Sequence, residues 1–92
     1  MSGVKFTPGS LYITPGAAAA FKASGDDVTG YLIRHISGDW GDVDEHDRRE
    51  NELSLQHGWR ILSAYRMLDG TKFWVITEAD RSSTCFLLPS EY

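Results

Sequence analysis

The sequence predicts an α+β domain, with two to three N-terminal helices packed on a C-terminal three-stranded antiparallel β-meander. Three observations predict it. Helix-forming and helix-capping residues crowd the first half of the chain. Its last third is rich in β-branched and aromatic residues broken by two turn signals. Nothing between them reads as a linker, a repeat or a low-complexity segment. At 92 residues, with 41% apolar and 24% charged side chains, the whole chain 1–92 fits one domain with a small core.

Residues 1–10 hold Gly3, Pro8 and Gly9 without periodicity and read as a loose arm. Leu11-Tyr12-Ile13 is a short β-prone run that suits a fourth, edge strand. Thr14-Pro15 then reads as a cap followed by proline at the first helical position, where its missing N–H costs nothing. Ala17 to Ala20 carry that helix, and Gly25 stops it. Asp26 or Asp27 caps a second helix, in which Val28, Tyr31, Leu32 and Ile36 recur at helical spacing. Gly38-Asp39-Trp40-Gly41-Asp42 is a tight turn that tucks its indole inward. Asp42 or Asp44 opens a third helix that runs to about Gln56, polar except for a narrow stripe of Val43, Leu53 and Leu55.

Arg60–Leu68 and Thr71–Glu78 are strand-like, and Asp69-Gly70 between them is a strong hairpin mark with positive φ expected at both turn positions. Asp80-Arg81-Ser82-Ser83 leads to a third strand over Thr84–Leu88, and Pro89 ends it. Alternation puts Ile61, Ser63, Tyr65 and Met67 on one face and Leu62, Ala64, Arg66 and Leu68 on the other. In the second strand Phe73, Val75 and Thr77 oppose Trp74, Ile76 and Glu78. Neither face is clean, so helices should cover one and a mixed surface should remain on the other.

Composition excludes several classes. Cys85, alone in an apolar run, permits no internal disulfide and reads as a buried small hydrophobe. That usage, with no apolar segment after Met1, suits the cytoplasm. No apolar stretch approaches a membrane span. A net charge of −4, concentrated between Asp39 and Glu52, leaves no basic footprint for nucleic acid. No cofactor motif is present.

The string Arg34-His35, Gly38-Asp39-Trp40-Gly41-Asp42, Asn51, Ile61-Leu62-Ser63-Ala64-Tyr65, Asp69-Gly70-Thr71, Trp74 to Ser82 and Leu87 to Tyr92 resembles a family of short bacterial proteins. Its members are labelled plasmid-related or as a subunit of a type I restriction system. The resemblance covers roughly residues 11–92. It implies one compact domain and a mobile-element or accessory-gene context, and assigns no catalytic residue.

Five constellations offer chemistry. A helix-then-sheet order is the plan of the small barnase- and RelE-like endoribonuclease toxins, an analogy of architecture. There His35 and Arg81, with Tyr65, Ser82 or Thr84, would supply the acid, base and cation that cleavage through a 2′-OH needs. The bland reading makes His35 a surface cap at a helix C-terminus. His35, Asp39, Asp42, Asp44, His46 and Asp47 are rich in metal-ligating atoms. Their spacing matches neither a calcium loop nor a zinc motif, and caps and turns explain the aspartates. Arg81 could tip an exposed recognition turn or simply pair with Glu78 or Asp80. Trp40, Trp59 and Trp74 read as core, since no basic track accompanies them. The acidic helix reads as a solvated face or a docking surface.

These readings favour a small non-enzymatic binding or inhibitory protein. It would dock on a protein partner through Asp39, Asp42, Asp44, Asp47, Glu50 and Arg81 with the adjacent sheet surface. The toxin-like endoribonuclease, acting on nucleic acid, is the second expectation. A homo-oligomer whose sheet pairs with its own copy is the third.

Overall fold

A computed structural model describes residues 3–92. The elements follow in the order β1 (Ser10–Ile13), α1 (Pro15–Ser24), α2 (Val28–Ile36), α3 (Glu45–His57), β2 (Ile61–Arg66), β3 (Lys72–Thr77) and β4 (Ser83–Leu87), closed by a 3₁₀ turn at Pro89–Glu91. The fold is α+β as expected, with a four-stranded sheet in the order β1-β4-β3-β2. The edge strand read at residues 11–13 is present and makes the sheet mixed. It pairs parallel to β4, with Leu11 beside Thr84 and Ile13 beside Phe86. The meander is antiparallel throughout, with Ser63 opposite Val75 and Thr77 opposite Thr84.

Caps set the helix limits. The Thr14 hydroxyl accepts from the Ala17 N–H at 3.2 Å, Asp27 from Thr29 at 3.0 Å and Asp44 from Asp47 at 2.8 Å. Gly25 and Gly58 end α1 and α3 in the left-handed conformation, at φ 76° and 74°. The hairpin forms with a different turn from the one expected. Gly70 is at φ 91° while Asp69 stays at negative φ. The Gly70 N–H bonds Met67 O at 2.8 Å, and Met67 N–H bonds Thr71 O at 2.8 Å. The connection is therefore a three-residue loop with glycine in its left-handed position.

The core lies between the sheet and α1–α2. Phe21, Tyr65, Met67, Phe73, Val75 and Phe86 are buried together, with Tyr31 and Leu32 packed against them. Burying these side chains is the main source of stability in so small a domain. The opposite sheet face is partly covered, as its mixed composition implied. Tyr92 returns across it, its ring 5.6 Å from that of Trp74 and its hydroxyl 2.8 Å from Arg60. Among the described residues no helix is long and apolar enough to cross a membrane.

Four local readings are corrected. The arm at 1–10 is fastened rather than loose from Lys5 onward. Its Lys5 N–H bonds Ile36 O at 2.7 Å, Ser10 N–H bonds Ser82 O at 3.0 Å, and Phe6 packs edge-on against His35. Trp59 is exposed and stacks on His57, because it follows the helix stop and precedes the strand. Cys85 is only half-buried, since its register turns it to the partly covered face. The apolar stripe expected of α3 is incomplete, with Leu53 exposed.

Polar groups hold α3 instead. The Asn51 side chain donates to Leu62 O at 2.7 Å and accepts from Leu62 N–H at 3.1 Å, imitating a neighbouring strand. Ser54 Oγ shares its one proton between Glu50 O of its own helix at 2.8 Å and Arg60 O at 3.0 Å, and the Trp40 indole donates to Glu52 at 3.0 Å. Just beyond, Ala64 N–H bonds Trp40 O and Asp42 N–H bonds Ala64 O, at 3.0 and 2.7 Å. Gly41 makes that approach possible, since a Cβ there would lie 2.0 Å from Ala64 O. The outer edge of β2 is thus closed by an amide and a loop.

Candidate functional site

His35 is not a surface cap. It is completely buried beneath Phe6 and beside Trp40. Its Nδ1 lies 2.6 Å from Ser63 Oγ and its Nε2 2.8 Å from Thr77 Oγ1. Thr77 Oγ1 lies 2.6 Å from Thr84 Oγ1, which donates to Pro8 O at 2.7 Å. A carbonyl only accepts, so Pro8 fixes the direction of the whole chain. Thr84 spends its proton on Pro8, so Thr77 donates to Thr84 and His35 Nε2–H donates to Thr77. Nδ1 is then bare and accepts from Ser63. Burial, aided by the charge of Arg81, lowers the imidazole pKa to about 3, so the ring is neutral at ordinary pH.

Arg81 stands at φ 61° and spends its guanidinium on backbone carbonyls: Trp59 at 2.7 Å, Ser54 at 3.0 Å, Ala79 at 3.1 Å and Glu78 at 3.2 Å. Pairing with the Glu78 or Asp80 carboxylate is replaced by these bonds. The guanidinium also lies 5.5 Å from the Phe6 ring centre. Arg81, Phe6 and His35 therefore sit one above another, with the imidazole sealed at the bottom. Ser82 is exposed at the turn. Tyr65 belongs to another arrangement, its hydroxyl donating to Asp39 O at 2.5 Å, and burial pushes its phenol up to about 12. The structure brings His35 and Thr84 into one chain, but sealed from substrate.

The acidic residues lie outside. Residues 39–52 carry seven of the thirteen acids and two of the nine bases, so this segment holds −5 and the rest of the chain +1. Asp39 is bound by Arg34 at 2.8 Å, which holds its carboxyl below the usual range. Asp42 lies 3.4 Å from Arg66. Glu50 is exposed on α3. Asp44, His46 and Asp47 bring ligand atoms within 4.8 Å of one another. The cap from Asp44 to Asp47 accounts for that closeness, so the trio is not read as a metal site.

Asp42, Asp44 and Asp47 form one wall of a groove of about 350 Å³, floored by Leu62, Ala64 and Trp74 and closed by Lys72. It arises because the Gly41 bridge sets Asp42 against β2 while the α3 cap points its first turn over the sheet. Three residues of the expected docking set therefore share one concavity, and Asp39, Glu50 and Arg81 lie outside it. The floor was missed as a site because Leu62 reads as an ordinary strand position and Trp74 as core, whereas Trp74 is only half-buried. No known family model, curated protein or solved structure matches the chain.

Proposed function

We propose that this chain is a small non-enzymatic binding protein that occupies a basic face of a protein partner through the Asp42–Asp44–Asp47 groove. One observation carries the reading: charged wall and apolar floor converge in the same concavity. A partner's lysine or arginine would lay its stem on Leu62 and its head near the wall, with Trp74 offering a cation–π face. Charge at such a rim sets on-rate and specificity more than affinity, and salt screens it. The resemblance to short plasmid-related bacterial proteins supports a mobile-element or accessory-gene role, such as an inhibitor of a host or defence protein. An endoribonuclease would find neither group free, since His35 has both nitrogens bonded inside the core and Arg81 is committed to carbonyls.

The test is capture from bacterial lysate at low and moderate salt, with wild type beside two variants. Asp42→Lys/Asp47→Lys reverses the wall, and Asp44→Asn removes a charge while keeping a cap. A protein retained by wild type, released by salt and lost on reversal is expected. Retention of the same protein by the reversed groove, unaffected by salt, overturns the proposal.

A further inference from the structure

The two edges of the sheet are treated differently. On β2 the outward groups of Leu62 and Ala64 are satisfied by Asn51, Trp40 and Asp42. On β1, the N–H groups of Ser10 and Thr14 point inward, to Ser82 and Phe86 of the β4 side. Strand alternation then turns Tyr12 inward with them and leaves Leu11 and Ile13 with both backbone groups on the outer edge. Their side chains are exposed too: Leu11 by 51%, Tyr12 by 59% and Ile13 by 42%. Apart from being short, with Pro8 and Gly9 before it and Pro15 after it, the strand carries no guard. Ser10–Ile13 has no charge, proline or glycine.

From this geometry we infer that β1 pairs antiparallel with β1 of a second copy of this chain about a two-fold axis at Tyr12, joining two sheets into one of eight strands. Leu11 of each copy faces Ile13 of the other. Each of these residues exchanges an N–H and a C=O with its opposite, making four backbone hydrogen bonds. Tyr12 meets Tyr12 as the non-hydrogen-bonded pair, about 4.5 Å apart at Cα. Such an edge is self-complementary, which an isologous contact requires.

Charge selects this occupant. Each copy carries −4, and two copies repel unless their acidic segments stay apart. Residues 40–42 and α3 attach along β2, at the far side of the sheet order β1-β4-β3-β2. That is three strand spacings, roughly 14 Å, from β1 in each copy and seven spacings, roughly 34 Å, across the pair. A Debye length near 8 Å then leaves little repulsion. Ser10–Ile13 itself offers a charged peptide no counter-charge, and the carboxylate of Glu91, bound by Thr14 and Gly16, stands at its end. The contact is a four-residue edge, below the roughly 1,000 Å² of stable interfaces. It therefore forms and dissociates in the micromolar-to-millimolar range. The inference is independent of the proposed function.

Sedimentation equilibrium over that range tests it, with amide hydrogen exchange on the same samples. The weight-average mass should rise from 10.3 kDa toward twice that value. Exchange at Leu11 and Ile13 should slow as concentration rises, while Tyr12, bonded within its own sheet, should not respond. Leu11→Pro removes an outward donor without touching the bonds to β4, and Leu11→Lys adds a guard charge while leaving the backbone intact. Each should weaken association at least about tenfold, with the far-ultraviolet spectrum unchanged. A mass fixed at 10.3 kDa up to millimolar concentration overturns the inference, as does an oligomer that persists in Leu11→Lys.

Discussion

Replacing His35 with glutamine isolates the pH dependence stored in the buried chain. The imidazole has a pKa of about 3 in the folded protein against 6.5 when free. The unfolded chain therefore binds the proton first, and stability is lost as pH falls through the window between those values. At about 1.4 kcal/mol per unit, the full loss is on the order of 5 kcal/mol. Between pH 7 and 5, where carboxylates stay largely ionised, the worked loss is about 2 kcal/mol. A 92-residue chain has on the order of 5–14 kcal/mol in all, so the change is easily resolved. Urea unfolding of wild type and His35→Gln at both pH values is the assay. Glutamine can still reach a hydroxyl but does not titrate, and the comparison cancels every other group. Wild type should lose about 2 kcal/mol more than the variant over this interval. Equal losses, within about 0.5 kcal/mol, would refute the burial of a neutral imidazole.

The direction of the chain gives a spectroscopic prediction. Nitrogen-15 shifts should report a single tautomer with the proton on Nε2 of His35, and a proton on Nδ1 would contradict Pro8 as the terminal acceptor. For α3, Asn51→Leu leaves the Leu62 N–H and C=O without their partner, at about 1–3 kcal/mol each. Chemical unfolding should show a loss of about 2–6 kcal/mol, and a loss below about 1 kcal/mol would mean that α3 is held by something else.

Much of this fold is legible from local chemistry. Thr14-Pro15, Asp27 and Asp44 mark helix starts because a short oxygen-bearing side chain must satisfy orphan N–H groups there. Alternation in β2 and β3 places residues on their faces without reference to the rest of the chain. His35 was legible in part. It lies seven residues after Val28, on the stripe with Tyr31 and Leu32, yet a histidine does not count toward an apolar stripe, which continues instead to Ile36. The inward register also holds Ser63, Thr77 and Thr84, and those polar residues at core positions were the available sign of a buried network. What stays hidden is nonlocal. The parallel pairing of β1 with β4 joins positions 73 residues apart, and the capture of Leu62 by Asn51 depends on a register no sequence window contains. The groove is hidden for the same reason, since its wall and floor come from α3, the Gly41 bridge and two strands.

The attachment of α3 by Asn51, Ser54 and Glu52 carries an evolutionary consequence. A helix anchored at a few polar points exerts little selection on its remaining side chains. Substitutions at Glu45, His46, Asp47, Arg48, Arg49 and Glu50, all exposed, can change the charge pattern while leaving the anchors in place. Surface changes of that kind typically cost within about 0.5 kcal/mol. Drift along this helix is therefore nearly free of folding constraint, and relatives that keep the scaffold can diverge in what they recognise by rewriting these positions.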